Sequence, residues 1–178
     1  MTRILLSLAV LVVLALAGIV VAASLRPDEF RIQRTRHIAA PLARVQPLVA
    51  ELPRFNTWNP YVRKDPNIRV DYRGPASGPG AVFDFAGNRD VGRGSIRVVD
   101  TTPTAVAMDL EMIEPMPGVN RIEFTFVPAA ASTDVTWAMR GRWPFVAKVA
   151  GLFIDMDAMI GRDFEAGLAN LQQVAERG

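Results

Sequence analysis

The chain has no cysteine and one histidine, His37, among its 178 residues. Without cysteine there is no disulfide framework, no thiol nucleophile and no thiolate metal site. His37 has no local nucleophile or carboxylate with which to build a Ser-His-Asp triad, and a lone histidine is a poor transition-metal site. We therefore interpret His37 as a solvated or core-edge strand residue and predict no metal and no cofactor.

The chain also lacks a large excess of positive or negative charge. Twenty basic residues face 18 acidic ones, which leaves a formal net charge of +2. A nucleic-acid-binding domain needs a basic patch that neutralises phosphates, and this near-balance offers none. The sequence also shows no internal repeat, no low-complexity tract and no second-domain linker, so we expect one folded domain and no nucleic-acid partner.

The beginning of the chain contains no charged residue from Ile4 to Leu25. As a helix, residues 4–25 would span roughly 33 Å, about the thickness of the hydrocarbon core of a bilayer. A cleaved signal peptide is the alternative, since "ALA" (15–17) and "VAA" (21–23) offer small residues at cleavage spacing. The run exceeds the usual signal core, which favours an uncleaved anchor at residues 1–25 and a domain at residues 26–178.

Basic residues flank this predicted membrane span on both sides. Arg3 precedes it, whereas Arg26 and Arg31 follow it, and a literal count by the positive-inside rule would leave the domain in the cytoplasm. A short basic N-terminus before an apolar run is, however, the usual form of a signal anchor. We predict a single-pass membrane protein with an extracytoplasmic domain.

The remaining sequence changes its periodicity twice. Residues 30–38 read as a strand, and residues 41–52 read as a helical segment in which Pro47 predicts a kink or two short helices. Period-two alternation then predicts six further strands joined by short turns. These strands lie near residues 68–72, 81–85, 94–99, 105–112, 119–127 and 132–140.

The C-terminal segment carries one apolar stripe at helical spacing. It predicts a single long helix from Pro144 to about Glu176, with proline in its first position. Gly151, Gly161 and Gly167 each lower helix propensity by about 1 kcal/mol relative to alanine. We expect these glycines only where close packing or curvature requires them.

Four stretches of the chain resemble a known family: "AAPLARV" (39–45), "WNPY" (58–61), "GPGAVFDFAGNRDVGRGSI" (78–96) and "LFIDMDAMIGRDFEAGLANL" (152–171). Together with the element order, they resemble the polyketide cyclase/dehydrase-type branch of the SRPBCC superfamily over roughly residues 29–175. Phe85, where relatives often have tryptophan, and Arg36, where an aliphatic is more usual, depart from the pattern.

The resemblance implies the START-like, Bet v 1-like helix-grip fold. The expected fold class is thus α+β, with a curved antiparallel sheet of about seven strands wrapped around a long C-terminal helix. Two short helices follow the first strand, and one transmembrane helix precedes the domain. The resemblance further implies a cavity between sheet and helix that takes a hydrophobic small molecule.

Strand alternation identifies the side chains that would line such a cavity. In residues 105–112, for example, Asp109 and Glu111 fall on the face opposite the apolar side chains. An almost purely apolar inner face offers no group for general acid–base catalysis, so we predict a binding protein without catalytic residues. The predicted lining consists of Phe83, Phe85, Met108, Leu110, Met112, Phe124, Phe126, Trp137, Met139, Phe153, Met156 and Ile160.

The stretch "RFNTWNPY" sets three aromatic residues among prolines. Trp58 and Tyr61 each combine an apolar body with a polar edge, which suits a wet rim. We predict that Phe55, Trp58 and Tyr61 form part of the cavity mouth, in keeping with the place of this segment in the fold resembled. The alternative is that these aromatic residues seal the end of the core.

The sequence thus predicts a membrane-anchored domain that binds a lipid-like or aromatic small molecule. A cyclase/dehydratase-like enzyme is the first alternative, and a buried Arg34, Arg36 or Glu111 with a pocket-facing tip would favour it. A protein-interaction module without a ligand is the second, and a fully packed interior would favour that one.

Overall fold

The computed structural model describes the backbone of residues 2–177 and the side chains of residues 4–177. The helices are α1 (Thr2–Ser24), α2 (Leu42–Ala50), α3 (Leu52–Phe55), α4 (Pro60–Lys64), α5 (Phe145–Ala150) and α6 (Met156–Arg177). The strands are β1 (Glu29–Ile38), β2 (Arg69–Arg73), β3 (Val82–Ala86), β4 (Arg93–Thr102), β5 (Ala105–Glu114), β6 (Gly118–Pro128) and β7 (Thr133–Arg142).

The chain divides into two compact units. The anchor unit comprises the residues up to Phe30 together with Arg142–Met156. The grip unit comprises Arg31–Gly141 together with the residues from Asp157 onwards. Each unit has its own packing and is described by itself.

The grip unit is built on an antiparallel sheet whose strand order is β1-β7-β6-β5-β4-β3-β2. Register shifts in β4, at Arg93/Gly94 and Val98/Asp100, are the kind of irregularity that bends a sheet. The ring of Trp137 on β7 stacks on Phe164 of α6 with centroids 4.3 Å apart, which places the long helix against the sheet. The predicted α+β helix-grip fold is confirmed.

Three short helices follow β1. The segment forms two short helices, as predicted, but they divide at Glu51, and α2 continues through Pro47 to Ala50. The proline removes one donor to the carbonyl of Ala43, and the short helix tolerates that loss. The helix ends at Glu51, whose backbone is extended (φ −95°, ψ 110°), and α3 begins immediately with Pro53 in its first turn.

The prediction of one uninterrupted helix from residue 144 to 176 is wrong. Pro144 has an extended backbone and precedes α5, which ends after six residues, and residues 151–155 separate it from α6. Gly151 at the end of α5 lowers helix propensity, and Asp155 immediately before α6 is a residue type that favours helix starts. The apolar stripe continues across this break, so its periodicity did not reveal the interruption.

In the anchor unit, α1 packs against α5. Ala23 is fully buried, whereas most of α1 is exposed. The connector after α1 belongs to the same unit. The backbone N–H of Trp143 donates to the carbonyl of Asp28 at 2.7 Å, and the rings of Phe30 and Trp143 stack with centroids 4.0 Å apart. Within α1, Ile4–Ser24 is long and apolar enough to cross a membrane, a criterion that a signal sequence also meets.

Candidate binding site between sheet and helix

The two faces of the grip-unit sheet differ in chemistry. Apolar residues pair across the inner face, where Phe124 lies opposite Trp137 and Met108 lies opposite Ile122. On the outer face charged residues pair with one another: Arg121–Asp109, Arg140–Glu123 and Arg73–Asp84. These six titratable groups are therefore used in ion pairs outside the apolar interior.

A cluster of aromatic rings fills part of this interior. Trp58 meets Phe55, Phe124 and Trp137 edge-to-face, with ring centroids 4.8, 5.9 and 5.8 Å apart. Trp58 is fully buried, and its indole N–H donates to the carbonyl of Leu48 at 2.7 Å, which satisfies the one polar atom of that side chain. Five aromatic residues form the aromatic cluster: Phe55, Trp58, Phe124, Trp137 and Phe164.

Gly167 of α6 explains how the helix approaches this cluster so closely. A Cβ at this position would lie 2.6 Å from Cζ3 of Trp137 and 2.9 Å from Cδ of Pro60. Both neighbours are rings held in a packed core, so neither can move away easily. The close packing expected for the glycines of this helix is therefore observed at Gly167.

The structure places the predicted mouth residues in two settings. Phe55 and Trp58 belong to the buried aromatic cluster, and a role at a cavity mouth would require this segment to move. Tyr61 is half-buried at the start of α4, with Nζ of Lys64 5.1 Å from its ring centroid. Burial of the hydroxyl, assisted by the neighbouring Asp163 carboxylate, raises the pKa of Tyr61.

The direction of α6 over the sheet follows from its contacts with β1. Arg34 lies against Gly161, and the Ala39 N–H donates to Glu176, so the helix runs in the same direction as β1. Because β1 lies antiparallel to β7 in the sheet, the first turns of α6 lie towards the end of β7 that holds Met139.

Inward-facing side chains become more exposed towards that end of the grip unit. On β5, Val106 and Met108 are buried, but Leu110 and Met112 are half-buried. On α6, the same change separates the buried residues from Phe164 onwards from the half-buried Ile160 one turn earlier. We call the half-buried residues at this end of β5, β6 and α6 the open end: Leu110, Met112, Asn120 and Ile160.

Asn120 is a polar group that our reading of the strands missed. It is half-buried, lies opposite Leu110 in the register of β5 and β6, and shares the inner face with Ile122 and Phe124. Strict alternation from Phe124 backwards would have found it, because residues 120, 122 and 124 fall on one face. An amide both donates and accepts hydrogen bonds, and it cannot act as a general acid or base at neutral pH.

The edge strand β1 carries two arginines towards α6, so the inner side of the sheet is less purely apolar than predicted. Nε of Arg34 donates to Glu165 at 2.8 Å, and its Nη2 donates to Asp157 at 2.8 Å. The hydrogen bonds that Arg34 donates to the Asp157 and Glu165 carboxylates raise the pKa of Arg34. Gly161 makes room for this guanidinium, since a Cβ there would lie 1.9 Å from Nη2.

Arg36, the second arginine of β1, also binds a side chain of α6. Nε of Arg36 donates to the side-chain oxygen of Gln172 at 2.6 Å. Glu111, the third residue that would have favoured an enzyme, is exposed on the outer side of β5. The two arginines therefore connect β1 to α6.

The twelve predicted lining residues fall into three classes of exposure. Phe153 is 74% exposed between α5 and α6, and the structure gives no support to its place in a lining. Four residues are half-buried: Leu110, Met112, Met156 and Ile160. Seven are buried: Phe83, Phe85, Met108, Phe124, Phe126, Trp137 and Met139.

His37 lies exposed on β1, with Nδ1 2.7 Å from Oδ1 of Asp134 on the neighbouring strand. This is the solvated strand position expected from the sequence. Across residues 2–177, no group of three or more His, Asp or Glu side chains is arranged to hold a metal ion.

The geometry can be compared with known proteins. Residues 29–176 match the family described as "Polyketide cyclase / dehydrase and lipid transport". The chain belongs to this family. No curated protein matches the chain.

Solved structures share the fold of this polyketide cyclase/dehydrase-family protein at low sequence identity. The ZhuI aromatase/cyclase from Streptomyces sp. R1128 superposes with a TM-score of 0.60 and 17% identity, covering 84% of this chain and 94% of that one. Ara h 8.0201 superposes with a TM-score of 0.58 and 7% identity, covering 84% of this chain and 99% of that one. The Aha1 dimer from Colwellia psychrerythraea superposes with a TM-score of 0.58 and 17% identity, covering 83% of this chain and 96% of that one. At these identities the likeness concerns the fold alone.

Proposed function

We propose that this protein is a membrane-anchored binding domain for a hydrophobic small molecule, lipid-like or aromatic. The ligand enters at the open end and lies between the sheet and α6. The family supports a hydrophobic ligand or a cyclase role in general terms. The choice between the two rests on the chemistry of the inner face.

One observation carries the proposal: inward-facing apolar side chains of β5 and α6 that are half-exposed at the open end. Leaving Leu110, Met112 and Ile160 partly in water forgoes hydrophobic stabilisation of about 25 cal/mol per Å² of apolar surface. A ligand that covers them recovers this free energy. Asn120 offers a hydrogen bond that orients a polar group of the ligand, as binding sites with few polar groups commonly do.

The same geometry disfavours acid–base catalysis at this site. Arg34 and Arg36 use their guanidinium groups to bind side chains of α6. The side-chain amide of Asn120 cannot act as a general acid or base at neutral pH. The proposed mechanism is therefore desolvation of an apolar ligand against a preformed surface, without bond making or breaking.

The predicted membrane anchor would place ligand binding at the bilayer. An apolar ligand partitions into bilayers, and α1 as an uncleaved span would hold the binding domain close to that source. The extracytoplasmic orientation stays a prediction from the form of the N-terminus. The proposed access role of the segment from Phe55 to Tyr61 likewise stays a prediction.

The proposal can be tested by titrating the full-length protein in nanodiscs with the fluorescent apolar probe N-phenyl-1-naphthylamine. Leu110→Lys places a charge in the open end and is expected to weaken probe binding by about tenfold or more, or 1.4 kcal/mol at least. Val119→Lys is the matched control, because Val119 is exposed on the neighbouring strand opposite Glu111. The lipid contributes the same background to all samples.

Met112→Gln, which adds no charge, guards against unfolding of the lysine variant and is expected to weaken binding in the same direction. Equal binding by the wild type and both open-end variants would contradict the proposal. Native mass spectrometry of the same samples would identify a co-purifying ligand. Recovery of an added polyketide in chemically altered form would favour the cyclase/dehydratase alternative.

A further inference from the structure

Helix α5 of the anchor unit is amphipathic in the opposite sense to a helix on a water-soluble protein. Two of its three large apolar residues face outwards, with Phe145 48% and Val146 66% exposed, while Val149 is half-buried. Its lysine faces inwards: Lys148 is 8% exposed and its Nζ donates to Asp28 at 2.6 Å. Lysine is rarely buried unless it is paired, and Asp28 supplies the partner here. The outward apolar side chains are therefore the feature of α5 that calls for a partner other than water.

The turn after α5 extends the same apolar surface. Phe153 and Ile154 are both exposed, at 74% and 50%. Four large apolar side chains thus project within ten residues of chain, and we call them the apolar collar: Phe145, Val146, Phe153 and Ile154. An exposed group of this kind marks a surface for a protein or a membrane.

The position of the apolar collar decides between these two partners. α5 packs on α1, and Ala23, in the last turn of α1, is fully buried. Beyond α5, a Cβ on Gly151 would lie 2.8 Å from Nη1 of Arg26, two residues after α1 ends. The apolar collar is therefore continuous with the end of the helix that has the length and composition of a membrane span.

The surrounding residues suit the boundary between acyl chains and headgroups. Phe30 and Trp143 stack as a half-buried aromatic pair in this unit, and tryptophan is enriched at the membrane interface. Arg26 and Arg142 are exposed guanidinium groups of the same unit, of the kind that lipid phosphates attract, and Arg142 also pairs with Asp28 at 3.1 Å. Buried Lys148 is neutralised by Asp28, so it does not oppose insertion of the outer face.

We propose that the apolar collar inserts into the bilayer surface beside the end of α1 and forms a second contact of the anchor unit with lipid. α5 then lies in the interface with its apolar side in the acyl-chain boundary, as interfacial helices do. This contact depends on the membrane insertion of α1 and is independent of ligand binding by the grip unit.

The absence of cysteine makes the test direct. Single-cysteine variants of the full-length protein, Val146→Cys and Phe153→Cys, are labelled with the environment-sensitive fluorophore NBD and reconstituted into phosphatidylcholine–phosphatidylglycerol vesicles. Val12→Cys reports the span, and Val127→Cys reports an exposed valine of β6. We expect blue-shifted emission at 146 and 153, with loss of fluorescence when lipids carry a spin label on the upper acyl chain.

The outcomes separate the proposal from its alternatives. Quenching at residue 12 with water-like, unquenched emission at 146 and 153 would overturn the collar contact and leave the anchor intact. Blue-shifted emission at 146 and 153 without quenching would mean that protein, not lipid, covers the collar, and it would overturn the proposal as well. Absence of quenching at residue 12 would overturn both the anchor and the collar contact.

Discussion

Helices α5 and α6 share one apolar stripe in the sequence, yet they bury opposite kinds of side chain. α6 buries Phe164, Leu168 and Leu171 and leaves charged residues in solvent. α5 buries Lys148 and leaves Phe145 outside. The comparison teaches that an apolar pattern identifies residues that avoid water, but not whether protein or lipid covers them.

The largest expected effect uses one residue type on both helices. Phe164→Ala removes a ring that stacks on Trp137, and we expect it to lower the free energy of unfolding by about 3–5 kcal/mol. Phe145→Ala removes an exposed ring, and we expect a change within about 0.5 kcal/mol. Urea unfolding of both full-length variants in detergent micelles, followed by near-UV circular dichroism, measures the difference. Similar losses for both would mean that α5 packs in a protein core.

Much of the fold could be predicted because its determinants are local. Period-two alternation is a property of each strand and the stripe from Phe164 to Ala175 is a property of one helix, so neither needs knowledge of distant contacts. The break at residues 151–155 could not be predicted from periodicity, because apolar residues continue through it. What covers the exposed apolar residues in this break is also not encoded in the periodicity of the chain.

The candidate site was predictable in chemistry but not in position. The apolar inner face follows from alternation, and Asn120 was available from the same rule. Which residues close the interior could not be predicted in the same way, because the local sequence around Trp58 is compatible with a position in solvent or in the core. Its burial results from tertiary contacts with Phe124 and Trp137. The roles of Arg34 and Gly161 depend equally on a contact across more than a hundred residues of chain.

A second comparison uses two glycines and is expected to have a smaller effect. Gly167→Ala brings a methyl group against Trp137 and Pro60, and we expect a loss of about 1–3 kcal/mol from overpacking. Gly151→Ala meets mainly the flexible end of Arg26, and the backbone of Gly151 (φ −64°, ψ −13°) suits alanine.

For Gly151→Ala we expect a change within about 1 kcal/mol, because reduced freedom of the unfolded chain offsets the displaced guanidinium. The same urea unfolding measures both glycine variants. A loss at residue 151 as large as that at residue 167 would show that the end of α5 is packed as rigidly as the middle of α6. The contrast between the two helices would then fail.

The smallest expected effect concerns the charge buried by α5. Hydrogen bonding and charge attraction from Lys148, with help from Arg142, hold the pKa of Asp28 below its usual range. A lowered carboxyl pKa stabilises the folded state above the unfolded value, about 3.9, and this contribution is lost as the pH falls through the folded value. Below that range we expect amides of residues 145–150 to exchange about twofold to fivefold faster, after correction for intrinsic rates.

Asp28→Asn should raise corrected hydrogen exchange of residues 145–150 at neutral pH and remove its increase on acidification. Residues 164–171 of α6 serve as the internal reference, since that stretch buries apolar groups and should not respond to this substitution. If acid left the exchange of α5 unchanged in the wild type, the Lys148–Asp28 pair would not be what orients α5. The outward position of Phe145 and Val146 would then have to arise from the packing of α5 on α1 alone. Removing the ion pair at neutral pH would leave that packing intact.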